Sequence, residues 1–153
     1  MTGSGQTCEI VVEEVFPHDP AVIWRVLTTS ELIAKWLMPN DFQLKRGHRF
    51  KFQSEPIGEW NGATDCVVLE VEPGHRLVYS WQGMMGTPLA LDTVVTWTLS
   101  KEGKGTRLRM VHSGFRLPQN AEAFDAMSPG WKRHIFLLIR QIADELTDAS
   151  RSS

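Results

Sequence analysis

The most informative stretch for the fold is Thr93–His112, TVVTWTLSKEGKGTRLRMVH. Its first half alternates apolar and polar residues, with Val95, Trp97 and Leu99 at every second position. A period of two places the apolar residues on one face of a β-strand and the polar residues on the other. Gly103–Gly105 joins the two halves and is typical of a tight turn. The stretch therefore predicts an antiparallel hairpin with one buried face.

The second half of this hairpin carries Leu108, Met110 and His112 on one face, so a histidine is expected among apolar neighbours. Other short segments show the same alternation or are rich in β-branched residues. They are Cys8–Phe16, Arg49–Gln53, Ala63–Val71 and Leu77–Trp81. Because turn residues separate the later segments, the pattern predicts an antiparallel meander.

Helical patterns flank this sheet. Asp19 and Pro20 are a typical helix start before Ala21–Leu27, and Glu31–Trp36 forms a second short helix. Near the end of the chain, apolar residues recur at helical spacing and predict a long helix. They are Trp131, Ile135, Leu138, Ile139, Ile142 and Leu146. The segment Gly114–Ser128, just before this helix, shows no regular period.

The order of elements predicts an α+β fold. Only the sheet offers an apolar partner to the last helix, so we expect a curved antiparallel sheet wrapped around a long C-terminal helix, with two short helices after the first strand. The chain has 153 residues, the usual size of one domain. We assign residues 8–146 to this domain and expect 1–7 and 147–153 to be flexible tails, because small and polar residues dominate both ends.

Composition excludes several classes of protein. Hydrophobic residues make up 42% and charged residues 22%, which is typical of a globular domain. The formal net charge of -2 provides no basic field for nucleic acid. The apolar runs are too short to span a bilayer. The two cysteines, Cys8 and Cys66, lie far apart, which favours a reducing, cytoplasmic setting. A monomer and a homodimer both remain open.

Several segments, in order, resemble one known family. They are FPHDPAVIWRVLT (16–28), KWLMP (35–39), GHRFKF (47–52), EVEPGHRLVYSW (70–81), VVTWTLSKEGKGTRLRMVHSGF (94–115) and GW (130–131) followed by spaced aliphatic residues. Together they resemble homologues of the heat-shock protein 90 ATPase activator, in the START-like or SRPBCC superfamily. The resemblance covers about Glu9–Leu146. It implies the helix-grip fold, also called START-like or Bet v-like.

The resemblance also implies a cavity between the sheet and the last helix. Superfamily members bind lipids, polyketides or other hydrophobic molecules there, and a minority catalyse cyclisation or hydrolysis. We therefore expect a protein that holds a small hydrophobic ligand, such as a lipid, a polyketide or an aromatic compound, with no cofactor. The alternatives are a co-chaperone or other protein-interaction module, with a chaperone as partner and an exposed patch around Trp36, Trp60 and Met84, and an enzyme that uses His112.

The expected ligand-binding residues come from the inward faces of the strands, the second helix, a glycine-bounded loop and the last helix. They are Trp36, Phe50, Phe52, Tyr79, Trp81, Met85, Val95, Trp97, Met110, His112, Trp131, Ile135 and Leu138. Tyr and Trp combine a large apolar surface with one polar atom that can orient a ligand. For most of these residues, simple core packing is the competing interpretation.

His112 is the polar residue most expected to face inward. It could bind a ligand carboxylate, act as an acid or base, or simply be a core histidine bonded to a neighbour. The other histidines, His18, His48, His75 and His134, show no metal-binding spacing, and no catalytic motif is present. We therefore assign no catalytic residue and no metal ligand.

Overall fold

The computed structural model describes residues 6–56 and 62–152. In chain order the elements are β1 (Gln6–Phe16), α1 (Pro20–Thr28), α2 (Ser30–Trp36), β2 (Arg49–Gln53), β3 (Ala63–Glu72), β4 (Arg76–Gly83), β5 (Leu91–Glu102), β6 (Gly105–Leu117), α3 (Ala121–Pro129), a π-helix (Gly130–Ile135) and α4 (Phe136–Ser152). The strands form one antiparallel sheet in the order β1-β6-β5-β4-β3-β2. The predicted helix-grip fold is confirmed.

The core lies between the sheet and the helices. The inward positions of β5 and β6 are buried, as their alternation predicts, and they face the buried side of α4. Helix α1 adds Ile23, Val26 and Leu27 to the same core. Its start follows the predicted cap, because the Asp19 carboxylate accepts a hydrogen bond from the Ala21 backbone N–H at 2.9 Å.

The last helix differs from its predicted stripe. Trp131 is buried, but the next buried residue is Phe136, whereas Ile135 and Leu138 are only partly buried. The cause is the π-helix at Gly130–Ile135, whose hydrogen bonds run from residue i to i+5. A wider turn places Phe136, rather than Ile135, below Trp131.

The segment 114–128, which shows no period in the sequence, is also more regular than expected. Strand β6 continues to Leu117, and α3 follows it. Helix α3 has no buried residue, so its sequence lacks the apolar stripe by which helices are recognised.

Regular structure extends beyond the range 8–146 that the sequence assigns to the domain. Strand β1 begins at Gln6, and α4 continues past Leu146 to Ser152. The last turns of α4 are polar, so the apolar period stops before the helix does.

Candidate ligand-binding site

The pairing of three central strands brings the candidate residues into adjacent rows. In one row, Val95 of β5 lies opposite Tyr79 of β4 and His112 of β6. In the next row, Trp97 lies opposite Met110 on β6. Side chains at paired positions share one face of the sheet, so both rows point towards α4.

Aromatic rings fill the space above these rows. The ring of Trp97 lies 5.6 Å from that of Trp36, 5.7 Å from that of Trp131 and 5.9 Å from that of Phe136, measured between centroids. Trp36 and Trp131 meet Trp97 edge-on, which is a favourable geometry for aromatic pairs. Trp97 is therefore the centre of the cluster.

A second set of rings extends the cluster towards the β2 edge. Phe50 lies 5.4 Å from both Phe52 and Tyr79, and Phe52 lies 5.3 Å from Trp81. The alternation in RFKFQ places both phenylalanines inward, where they are buried.

Two tryptophans of the cluster, Trp36 and Trp97, have their indole N–H groups bonded to protein groups. Trp97 donates its indole N–H to the Tyr79 hydroxyl oxygen at 3.0 Å, and Trp36 donates to the Val26 carbonyl at 2.9 Å. Burial raises the pKa of the Tyr79 hydroxyl, so this group stays protonated at neutral pH. In this conformation both tryptophans act as core residues.

His112 lies at the centre of a buried chain of hydrogen bonds. Trp131 donates its indole N–H to His112 Nδ1 at 3.1 Å, and His112 Nε2 lies 2.8 Å from Thr93 Oγ1. Thr93 in turn donates its hydroxyl to the Trp81 carbonyl at 2.8 Å. The chain thus connects the π-helix to strands β6, β5 and β4.

This chain determines the protonation state of His112. An indole N–H can only donate, so Nδ1 must be the unprotonated nitrogen, and Nε2–H donates to Thr93. Burial lowers the pKa of His112 to about 3, because the charged form loses its hydration. At neutral pH the imidazole is uncharged and both nitrogens are bonded. This geometry corresponds to the interpretation of a satisfied core histidine and offers no free acid or base.

Most of the candidate residues come together in this buried cluster. The exposed fraction is 0% for Val95, Trp97, Met110 and His112, and no more than 4% for Trp36, Phe50, Phe52, Tyr79, Trp81 and Trp131. Ile135 and Leu138 lie at its margin and are partly buried. Met85 is 51% exposed on the loop after β4 and does not join the cluster.

Among the described residues, the structure does not show the exposed patch that a protein-interaction module was expected to have around Trp36, Trp60 and Met84. Trp36 is buried, because its N–H reaches back to α1 and its ring packs on Trp97. Trp60 lies outside the described residues. Met84 is partly buried and adopts a positive φ of 53°. Trp36 therefore cannot belong to a docking surface in this conformation.

Three residues of the site were not predicted from the sequence: Thr93, Phe115 and Phe136, whose ring lies 5.9 Å from that of Trp97. Thr93 shares strand parity with Val95, so the alternation could have found it. Phe115 lies 4.6 Å from the His112 ring, although a regular alternation would place it on the opposite face. Pairing of β1 with β6 skips Gly114, which has a φ of 98°. This β-bulge returns Phe115 to the inward face.

Other reactive side chains lie apart from this site or are protected. Burial raises the pKa of the Cys66 thiol, so it is not a ready nucleophile. His18 Nε2 lies 2.7 Å from Asp144 Oδ1 and ties the start of α1 to α4. Within residues 6–56 and 62–152, no three His, Cys, Asp or Glu side chains gather as a metal site would require.

Among the helices of the described ranges, none combines the length and the apolar character required to cross a bilayer.

Comparison with known proteins gives both family and fold matches. A family model described as "Activator of Hsp90 ATPase homolog 1-like protein" matches residues 17–143. The human protein named activator of 90 kDa heat shock protein ATPase homolog 1 is 28% identical over 137 residues, which is 88% of this chain and 37% of that protein. The chain therefore spans little more than a third of the curated relative.

Solved structures show the same fold over nearly the whole chain. Protein MLL2253 from Mesorhizobium loti is 40% identical, with a TM-score of 0.81, and the match covers 90% of this chain and 98% of that one. Protein BH1534 from Bacillus halodurans is 28% identical, with a TM-score of 0.73 and coverage of 92% and 99%.

Proposed function

The chain belongs to the family of activator of Hsp90 ATPase homolog 1-like proteins, as its sequence patterns suggest, and on this premise we propose that it holds a small hydrophobic molecule between the sheet and the last helix. The observation that carries the proposal is the hydrogen bond from Trp131 to His112 at the centre of the aromatic cluster. It joins the sheet to a π-helix, an element that is often found at functional sites.

The arrangement of this contact supports a site that opens. A buried polar group is costly unless it is bonded, so moving Trp131 away leaves His112 Nδ1 without a partner. A ligand that enters restores the lost contacts. Helix α3, which precedes the π-helix and has no fully buried residue, is the element best placed to move.

Moving helix α3 would break the contacts that hold it to the core, where its Phe124 and Met127 are partly buried. Asn120, just before it, donates to the Ala90 carbonyl at 3.0 Å, and Phe124 packs edge-on against Phe115 at 5.4 Å. Phe115 in turn lies 4.6 Å from the His112 ring of the aromatic cluster. We propose that α3 and the π-helix together form the cover of the site.

Ligand affinity would come from apolar burial. A flat aromatic molecule buries roughly 200 Å², as an aromatic side chain does. At about 25 cal/mol per Å² this contributes roughly 5 kcal/mol. That contribution has to exceed the cost of displacing Trp131 before any molecule is held.

The test is to identify small molecules released from the purified protein by mass spectrometry. We expect a hydrophobic compound in the extract. Val95→Phe should reduce its amount severalfold, because the new ring would occupy the space between Tyr79 and His112. The matched control is Val94→Phe, which places the same ring on the outer face of β5 and should keep the compound.

Two results would contradict the proposal. One is an extract without hydrophobic compounds together with no change in tryptophan fluorescence when hydrophobic dyes are added. The other is equal retention by Val95→Phe and Val94→Phe, once circular dichroism has established that both variants are folded.

The wider setting is proposed on the same basis. We propose that residues 8–146 act as one START-like domain in the cytoplasm, as a monomer or homodimer. Free Cys8 and Cys66 are consistent with a reducing compartment. Acid–base catalysis by His112 is not favoured, because no titratable side chain bonds to it within the described chain.

A chaperone is the second candidate partner, because the human relative is named as an activator of a chaperone ATPase. The sheet exposes Val11 at 38%, Val15 at 44% and Leu69 at 42%, which provide apolar contacts on its surface. We expect the purified chain to raise the ATPase rate of heat-shock protein 90 and Val11→Asp to reduce this effect severalfold. Leu137→Asp, at an exposed position of α4, is the control. An unchanged ATPase rate would exclude this function.

A further inference from the structure

The hydrogen-bonded chain through His112 has a fixed direction. It begins at the indole N–H of Trp131, which can only donate, and ends at the backbone carbonyl of Trp81, which can only accept. Each group between them must accept from one side and donate to the other. His112 Nδ1 therefore presents a lone pair to the position of Trp131, and the opposite tautomer would require the Thr93 hydroxyl to leave the Trp81 carbonyl and donate to His112 Nε2.

The position of Trp131 is also defined in shape. Its ring lies 6.2 Å from that of Trp81, 5.7 Å from that of Trp97 and 5.9 Å from that of His112, and it meets all three edge-on. Trp131 itself is 1% exposed. These three rings thus enclose a flat bicyclic group, and His112 supplies one hydrogen-bond acceptor to it.

We propose that this site selects a neutral, flat aromatic molecule with one N–H or O–H donor, which replaces the Trp131 indole and bonds to His112 Nδ1. The inference rests on the proposed function and adds the chemical class of the ligand. Displacement is a one-for-one exchange, because the ligand restores the ring contacts and the hydrogen bond that Trp131 gives up.

The same geometry disfavours anionic ligands such as fatty acids or aromatic carboxylates. A carboxylate oxygen and the Nδ1 lone pair are both acceptors, so they repel each other. Protonation of His112 or a change of tautomer would remove the conflict. Burial opposes protonation by lowering the pKa of His112 to about 3, and the other tautomer gives up the hydrogen bond from Thr93 to the Trp81 carbonyl. Among the roles open to His112, the proposal therefore favours recognition of a donor over binding of a ligand carboxylate.

The experiment uses Trp131→Gly, which empties the site, and three small probes of similar shape. Indole has an N–H donor, indene has the same bicyclic shape without a donor, and benzofuran-2-carboxylate is an anion. By calorimetry, we expect indole to bind about tenfold more tightly than indene, and the carboxylate to show no measurable binding. In Trp131→Gly/His112→Leu, the preference for indole over indene should fall to about one.

The inference would be overturned if indole and indene bound with equal affinity, or if the carboxylate bound more tightly than indole. If Trp131→Gly does not fold even with indole present, the inference also fails. In that case indole does not fill the space that the Trp131 side chain leaves.

The same probes are titrated into the unmodified protein. Binding of indene and indole alike there would contradict the inference and leave the proposed function intact. If the unmodified protein binds none while Trp131→Gly prefers indole, the proposed function fails and the selectivity of the emptied site stands.

Discussion

Replacing Trp97 with Ala should lower the free energy of unfolding by about 3–5 kcal/mol, the usual cost of truncating a buried aromatic side chain. Trp97 is 0% exposed, and its ring contacts those of Trp36, Trp131 and Phe136. The substitution removes all three contacts and leaves a cavity that rigid β-strands cannot close. Urea denaturation followed by circular dichroism measures the loss.

Two further variants separate the parts of this effect. Tyr79→Phe keeps the ring but removes the oxygen that accepts the Trp97 N–H, so it should cost about 1–3 kcal/mol. Leu137→Ala, at a residue that is 52% exposed on α4, should change stability by less than about 0.5 kcal/mol. If Trp97→Ala costs no more than Leu137→Ala, the aromatic cluster is not the core of this protein.

Acidification should destabilise the protein steeply because of His112. Burial lowers its pKa to about 3 in the folded protein from the ordinary value of 6.5, so below pH 6.5 the unfolded chain binds a proton that the folded chain excludes. Stability from this residue is therefore complete above pH 6.5 and is lost as pH falls towards 3. The slope reaches about 1.4 kcal/mol per pH unit, and the total is on the order of 5 kcal/mol.

His112→Gln isolates this contribution. Gln has one acceptor and one donor group, so it can bond to both Trp131 and Thr93 but does not titrate. Denaturation at a series of pH values should show a flatter dependence for the variant below pH 6.5. Other acidic contributions, such as that of Glu102, whose pKa is lowered by its hydrogen bond with Arg107, are common to both proteins. Parallel curves would mean that His112 is not held neutral by burial.

The strands and their inward faces were predictable because β-alternation is a local property. In the strands of Thr93–His112, each inward apolar position follows the last by two residues. Because alternate side chains of a strand lie on opposite faces, this spacing places all of them on one face. The same reasoning found β2 at Arg49–Gln53 and the buried face of β6 up to His112. The long helix was likewise visible from its period, although its end at Ser152 was not.

Two interruptions of these periods could not be predicted from the chain. The bulge at Gly114 reverses the parity of β6 and turns Phe115 inward, and the π-helix shifts the buried stripe from Ile135 to Phe136. Each inserts one residue into a regular repeat, and whether the repeat tolerates it depends on the packing of the partner element.

Local sequence patterns were sufficient to predict the sheet, the last helix and the presence of an inward histidine, because these depend on residues that are neighbours along the chain. The role of that histidine depends instead on contacts between distant segments. Thr93 and Trp131 each lie 19 residues from His112, on opposite sides of it in the sequence. They meet it because strand pairing and the π-helix bring three separate segments together, and only that meeting sets its tautomer and its charge.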